Sequence, residues 1–168
     1  GALDSFISLE TVELACSVLN KLKQADIDAA KTLHVGVDVA RFGDDKTVIT
    51  PRISTKVFEF RKYVKKSTME TAGYVLICCK EYMRLFPQLK NCIVKVDDSG
   101  VGGGVTDRLK EVVKAERLPI KVIPVNNGES ATDEYYFNLG GQLWGHIKEL
   151  LEVNFSNSIT ITIKIHVP

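Results

Sequence analysis

Two aspartates lie within or at the end of apolar runs, where a carboxylate is unusual. Asp38 lies inside the run His34–Ala40 (HVGVDVA), and Asp97 closes the run 92–97 (CIVKVD). Short runs of β-branched residues predict buried strands, and a carboxylate there is costly unless it is paired or bound to a cation. If the two strands are neighbours, a hard divalent ion such as Mg²⁺ or Mn²⁺ would relieve the repulsion between the carboxylates. Two such ions about 3.5–4 Å apart support phosphodiester hydrolysis.

A simpler interpretation of the same two residues stays open from the residues alone. Asp38 can cap the turn that follows its strand, and Asp97 can begin a loop, with both carboxylates in water. Which interpretation holds depends on whether the two strands are adjacent, and the sequence pattern does not decide that point.

A glycine-rich turn follows Asp97 directly, through Asp98 and Ser99 into the segment 100–104 (GVGGG). Similar turns bind dinucleotides, but two preceding aspartates would oppose a pyrophosphate, and no P-loop motif is present. We therefore expect the glycines to let a helix begin close to the sheet, or to let a DNA backbone approach its N-terminus.

The elements that position these residues follow from periodicity and from turn signals. We predict helix 8–19, a linker or frayed helix at 20–32, strands at 34–40, 46–51 and 56–64, helix 68–86, strand 92–97, helix 101–117, strand 120–125, helix 135–152 and an edge strand at 158–167. The first three strands form an antiparallel meander, and strands and helices alternate after it. This order, βββαβαβα, predicts an α/β domain with a mixed sheet.

Composition and charge distribution narrow the function classes. Hydrophobic and charged contents of 45% and 26% are those of a globular protein, and no run reaches the roughly 18 apolar residues of a membrane helix. The four cysteines lack the spacing of a zinc site, so we expect buried thiols. Residues 46–66 carry seven Lys and Arg against Glu59 alone, which indicates either a phosphate-tracking surface or a solvated hairpin. For Trp144 and the aromatic residues 135–137 we predict core packing rather than base stacking.

Several segments together resemble a known protein family, the nuclease domain of phage large terminases. Gly36–Thr47 (GVDVARFGDDKT) is similar to that family's opening strand and turn, and Val96–Leu109 (VDDSGVGGGVTDRL) to its second acidic strand and glycine turn. Phe6–Glu10 is similar to the connection that follows the family's ATPase domain, and Tyr136–Asn138 with Gln142–Trp144 to a late helix. The resemblance covers most of the chain.

The resemblance implies an RNase H-like fold, with a mixed sheet and helices on both faces, and a metal-dependent endonuclease that cuts double-stranded DNA during genome packaging. Asp38 would match the first metal-binding and catalytic carboxylate and Asp97 the second, with Asp98 as the rival for the second role. Arg41 and Lys46 would contact DNA phosphates. The implied cofactor is Mg²⁺ or Mn²⁺ in a two-metal site.

The resemblance also implies a setting for the chain. The partners would be an ATPase domain of the full-length protein, a small terminase subunit and a capsid portal, in the cytoplasm of a bacterial host and away from any membrane. We expect residues 1–32 to be the remnant of the connection to the ATPase domain, and residues 33–168 to be the nuclease domain.

One feature departs from the family pattern. Family members carry a third acidic residue on a later helix, whereas Val153–Pro168 contain no Asp or Glu, and Glu149 and Glu152 are poor substitutes by position. We therefore expect a C-terminally shortened domain with weak metal affinity and little cleavage. A catalytically incomplete module that binds DNA or a capsid partner stays open as an alternative. An actin- or sugar-kinase-like ATPase is a weaker one, because residues 41–44 supply no phosphate loop.

Overall fold

The computed structural model describes residues 6–13, 24–40, 45–54 and 56–153. Residues 9–13 are helical, in agreement with the start of the predicted helix 8–19, whose remainder lies outside the described residues, as do the predicted strand 158–167 and Arg41. The further elements are, in chain order, α1 (Gln24–Ala29), β1 (Thr32–Asp38), β2 (Lys46–Ile53), β3 (Lys56–Val57), β4 (Arg61–Val64), α2 (Thr68–Leu85), β5 (Asn91–Asp97), α3 (Gly102–Ala115), β6 (Ile120–Val125) and α4 (Leu139–Val153).

The six strands form one mixed sheet in the order β3-β2-β1-β5-β6, with β4 also pairing with β2. Strand β2 runs antiparallel to β1, β3 and β4, and β5 runs parallel to both β1 and β6. The predicted meander and mixed α/β sheet are confirmed. The parallel part arises because α2 and α3 each connect one strand to the next parallel one, as crossover connections do.

The helices α2 and α3 pack against each other over one face of this sheet. The strand residues beneath them alternate with those of the opposite face and are almost fully buried: Leu33, Val35, Val37, Ile49, Ile53, Cys92, Val94 and Val96. A capping box begins α2, since Ser67 Oγ accepts from the Glu70 amide at 3.2 Å and the Glu70 carboxylate accepts from the Ser67 amide at 3.0 Å. We call this side of the sheet the helix face and the opposite side the second face.

The described cysteines belong to the core of the helix face. Cys78, Cys79 and Cys92 are buried free thiols, and the Cys79 and Cys92 sulfurs lie 3.5 Å apart. Burial raises the pKa of the Cys78 thiol to about 12, which keeps it protonated. The expectation of buried thiols is confirmed for these three, and Cys16 lies outside the described residues.

The structure refines one local prediction and corrects others. Within the predicted linker or frayed helix 20–32, residues 24–29 form a helix, with Ile27 3% exposed in the core and its carbonyl accepting from Gln88 Nε2 at 3.1 Å. The predicted third strand, 56–64, is two short strands separated by residues 58–60. Phe58 there turns its ring towards Tyr82 of α2, with ring centroids 5.0 Å apart, while its amide still donates to the Pro51 carbonyl of β2 at 2.9 Å.

The last predicted helix begins later than expected, at Leu139 rather than at residue 135. The aromatic side chains around its start are not core residues: Tyr135 is 83%, Phe137 97% and Trp144 52% exposed. Only Tyr136 of this set is half-buried, because its ring lies against Gly145 of α4. No helix in the described part of the chain is long and apolar enough to span a membrane.

Candidate metal centre

Asp38 and Asp97 lie side by side at the carboxyl ends of neighbouring strands. Strands β1 and β5 pair in parallel, and Val37 is the register partner of Val96, so the aspartate that follows each valine ends its strand at the same edge. Alternation turns both aspartates away from the buried valines and onto the second face. The adjacency on which the metal hypothesis depends is therefore present.

The electrostatics of Asp38 report this crowding of negative charge. Partial burial, then the charge of Asp97, then the charge of Asp45 raise the pKa of the Asp38 carboxyl above its ordinary value. Among the described residues no cation offsets the like charges at this strand edge, and a bound divalent cation would do so. The donor set of carboxylate oxygens fits a hard ion such as Mg²⁺ or Mn²⁺.

Asp45 is the site residue that sequence reasoning missed. It directly precedes β2, which returns antiparallel to β1 with Val48 opposite Asp38. The Ala40 amide donates to Thr47 Oγ1 at 3.1 Å, which ties the two ends of the hairpin together and brings Asp45 back to the acidic edge. The sequence shows Asp45 as the second residue of the Asp-Asp pair in the turn, but only the register of β2 against β1 places it near Asp38.

The two adjacent aspartates of the second acidic strand have different partners. Asp97 Oδ1 accepts from the Ser99 amide at 3.0 Å. The Asp98 carboxylate accepts from Thr106 Oγ1 of α3 at 2.8 Å, while its amide donates to the Val125 carbonyl of β6. The structure thus brings Asp97, and not Asp98, together with Asp38.

Two glycines allow α3 to begin immediately beside Asp97. A Cβ on Gly102 would lie 1.8 Å from the Asp97 carbonyl oxygen, a distance that no side chain permits. Gly100 has a φ of 105°, a conformation that favours glycine. The prediction that the glycine turn lets the helix start close to the sheet is confirmed.

The basic stretch 46–66 contains paired residues, exposed residues and the buried Arg52. Arg61 makes two hydrogen bonds to the Glu81 carboxylate, at 2.9 and 3.2 Å, and Lys66 lies 3.3 Å from Glu70. Lys46 and Lys62 are exposed, and by register they share the second face with Asp38, since Val48 pairs with both Asp38 and Lys62. Within the part of the chain that the structure describes, neither lysine has an ion-pair partner.

The described residues do not assemble a complete cage for a metal. No three His, Cys, Asp or Glu side chains among them are placed to hold a metal ion together. Glu149 is exposed on α4, and the side chain of Glu152 lies outside the described residues. Among the described residues, the Asp38 and Asp97 carboxylates are the ones placed to hold a metal at this edge.

Comparison with solved structures identifies the fold. The nuclease domain of the large terminase subunit gp2 of bacterial virus Sf6 matches 89% of this chain with a TM-score of 0.68 and 17% sequence identity, and the chain spans 65% of that domain. The human cytomegalovirus terminase nuclease domain, soaked with manganese and inhibitor bound, matches 97% of this chain over 82% of its own length, with a TM-score of 0.56 and 14% identity.

Another structure of the Sf6 domain was solved with manganese; it has a TM-score of 0.65 and 17% identity over 89% of this chain and 64% of its own. No family model matches the sequence, and no curated protein matches it either. At these identities the likeness shows the fold alone. The predicted RNase H-like α/β fold, shared with terminase nuclease domains, is confirmed.

Proposed function

We propose that this chain is the nuclease domain of a phage or prophage large terminase, a metal-dependent endonuclease that hydrolyses phosphodiester bonds of double-stranded DNA during genome packaging. The observation that carries the proposal is the placement of Asp38 and Asp97 side by side at adjacent parallel strand ends within this fold. The raised pKa of Asp38 supports it, because perturbed carboxyls concentrate at functional sites.

In the proposed site, Asp38 and Asp97 hold the divalent ion, Mg²⁺ or Mn²⁺. When bound, such ions activate water and stabilise the leaving oxygen of a phosphodiester. Asp45 adds negative charge to the same edge, which favours cation binding without direct ligation. Two carboxylates leave most coordination positions to water and substrate, so we expect weak metal affinity.

DNA would lie across the second face, with its phosphates near the exposed Lys46 and Lys62. The family resemblance implies phosphate contacts for Lys46 and also for Arg41. Contacts of this kind position the duplex without reading its sequence. In the packaging context the proposed partners are the ATPase domain of the full-length protein, the small terminase subunit and the portal, in the cytoplasm of a bacterial host.

The test is cleavage of supercoiled plasmid with Mn²⁺, with Mg²⁺ and with EDTA. We expect slow metal-dependent nicking that an Asp38→Asn, Asp97→Asn double variant loses. The matched control is Asp107→Asn, which removes one carboxylate from the exposed side of α3. Nicking that survives in the double variant would show that the metal centre is not at this edge.

A second candidate, a catalytically incomplete DNA-binding module, is favoured by one observation: no third acidic ligand completes the site among the described residues. Salt-sensitive DNA binding without nicking in any metal would identify it.

A further inference from the structure

A cationic pocket lies on the second face, next to the acidic edge. Its wall residues come from three adjacent strands: His34 and Gly36 of β1, Thr50 and Arg52 of β2, and Ile93 and Lys95 of β5. Gly36 is the register partner of both Thr50 and Lys95, so the central strand has no side chain at that level. The missing side chain leaves a depression that Lys95 borders at that level, and Arg52 lines the same pocket two residues along β2 from Thr50, opposite His34.

The charges in this pocket lack a counterion within the described residues. Arg52 is only 8% exposed, and its one hydrogen bond there is from Nη1 to the Ser54 carbonyl. Lys95 is half-buried, and no described residue accepts a hydrogen bond from its ammonium group or pairs with it. By contrast Arg61, on the same sheet, is held by two hydrogen bonds to Glu81.

Burying two cations together is unfavourable unless an anion joins them. Charged side chains are almost never fully buried without a partner, and the loss of hydration is not returned by a single backbone carbonyl. Burial lowers the pKa of Arg52, and the half-buried Lys95 lines the same pocket. With no anionic partner among the described residues, the two cations make the pocket suited to an anion.

We propose that the Arg52–Lys95 pocket binds a phosphate group, namely a phosphodiester of the nucleic-acid backbone next to the one at Asp38 and Asp97. The guanidinium fork matches two phosphate oxygens, and the lysine adds a point charge. Lys95 and Asp97 are two residues apart on one strand, about 6.6 Å, which is too far for one phosphate to contact both sites closely. The assignment of the anion as a phosphodiester of the DNA backbone rests on the proposed nuclease function. The binding of a phosphate group as such does not depend on it.

The first arm of the test uses inorganic phosphate in EDTA and follows thermal denaturation. Phosphate should raise the Tm of the wild type above that in chloride of equal ionic strength, because a ligand that binds only the folded state stabilises it. Lys95→Gln and Arg52→Gln should lose this rise, and Lys110→Gln, which removes an exposed charge from α3, should keep it. Lys95→Gln is the decisive variant, because Lys95 is less buried and its replacement is compatible with folding.

The second arm measures the salt dependence of binding to uncut duplex DNA in EDTA. Loss of one phosphate contact should reduce the slope of log K against log salt by about 0.9 in Lys95→Gln, with no change in Lys110→Gln. Phosphate stabilisation without a change in slope would overturn the phosphodiester assignment and leave a free-anion site. Absence of both effects would overturn the pocket itself. Because neither arm uses divalent metal or cleavage, failure of the nuclease proposal would be seen separately.

Discussion

The helix face and the second face of the central sheet are made by the same strands, and alternate residues of each strand belong to one face or the other. On the helix face, valines and cysteines of β1 and β5 are buried under α2 and α3. On the second face, the intervening positions carry Asp38, Asp97, Arg52 and Lys95. The difference shows that the residues of the hydrophobic core and those of the proposed site are separated by a single step along the strand rather than by distance in the sequence.

Substitutions at two neighbouring residues of β5 should show the difference between the two faces most clearly. Val94→Asp puts an unpaired charge into the fully buried helix face, and we expect a loss of about 4 kcal/mol or more, enough to prevent folding. Ile93→Asp puts the same carboxylate on the second face beside the cationic pocket, where Arg52 can compensate it. Urea denaturation followed by circular dichroism measures both, and equal losses would show that the two faces do not differ as described.

A smaller effect is expected where the two faces meet, at the start of α3. Gly102→Ala would drive a methyl group into the Asp97 carbonyl, and the adjustment should cost about 1–3 kcal/mol. Because the helix must shift away from Asp97, Mn²⁺ should also stabilise this variant less than the wild type in a thermal denaturation series. Gly73→Ala on α2 is the control, since nothing lies near its added Cβ. Similar behaviour of the two variants would contradict the close approach.

The smallest expected effect is on the pH dependence of stability, and it involves the second face alone. Burial, then Asp97 and Asp45, raise the pKa of Asp38 above 3.8, so the folded state holds its proton more tightly than the unfolded state does. The free energy of unfolding therefore falls as pH rises from about 3.8 through the raised pKa. At neutral pH the wild type is less stable by this contribution.

Asp38→Asn removes that loss, so in EDTA the variant should be the more stable protein at neutral pH, and the difference should disappear under acidic conditions below the ordinary pKa of aspartate. Thermal denaturation over a pH series measures it, with Asp107→Asn as the control. Saturating Mn²⁺ should reverse the order, because only the wild type then keeps both carboxylates for the ion. A wild type that is already the more stable protein in EDTA would contradict the crowding of charge around Asp38.

The strand pattern predicted most of the fold, because runs of β-branched residues such as His34–Ala40 and residues 92–97 indicate buried strands from the local sequence alone. The same runs marked Asp38 and Asp97 as exceptions within them. Their adjacency, however, depends on β5 pairing parallel to β1, which no local pattern specifies. For the same reason Asp45 was missed, since its distance from Asp38 depends on the register of β2.

The residues whose burial or exposure is decided by other elements of the fold were the least predictable. Arg52 of β2 and Lys95 of β5 lie at polar positions of their strands, and they meet at one pocket only because β1 lies between those strands. The exposure of Tyr135 and Phe137 was not predicted either, because an aromatic cluster next to an amphipathic helix is usual for a core. In each case the local sequence is compatible with both outcomes, and tertiary packing decides.

The division of the outer strand into β3 and β4 has a consequence for association between molecules. An unbroken edge strand offers a continuous row of amides and carbonyls to which another polypeptide can add. Here the partner of β2 consists of two residues and then four, with Phe58 turned inward between them and the charged Lys56, Arg61 and Lys62 along its length. This edge of the sheet is therefore a poor template for a further strand.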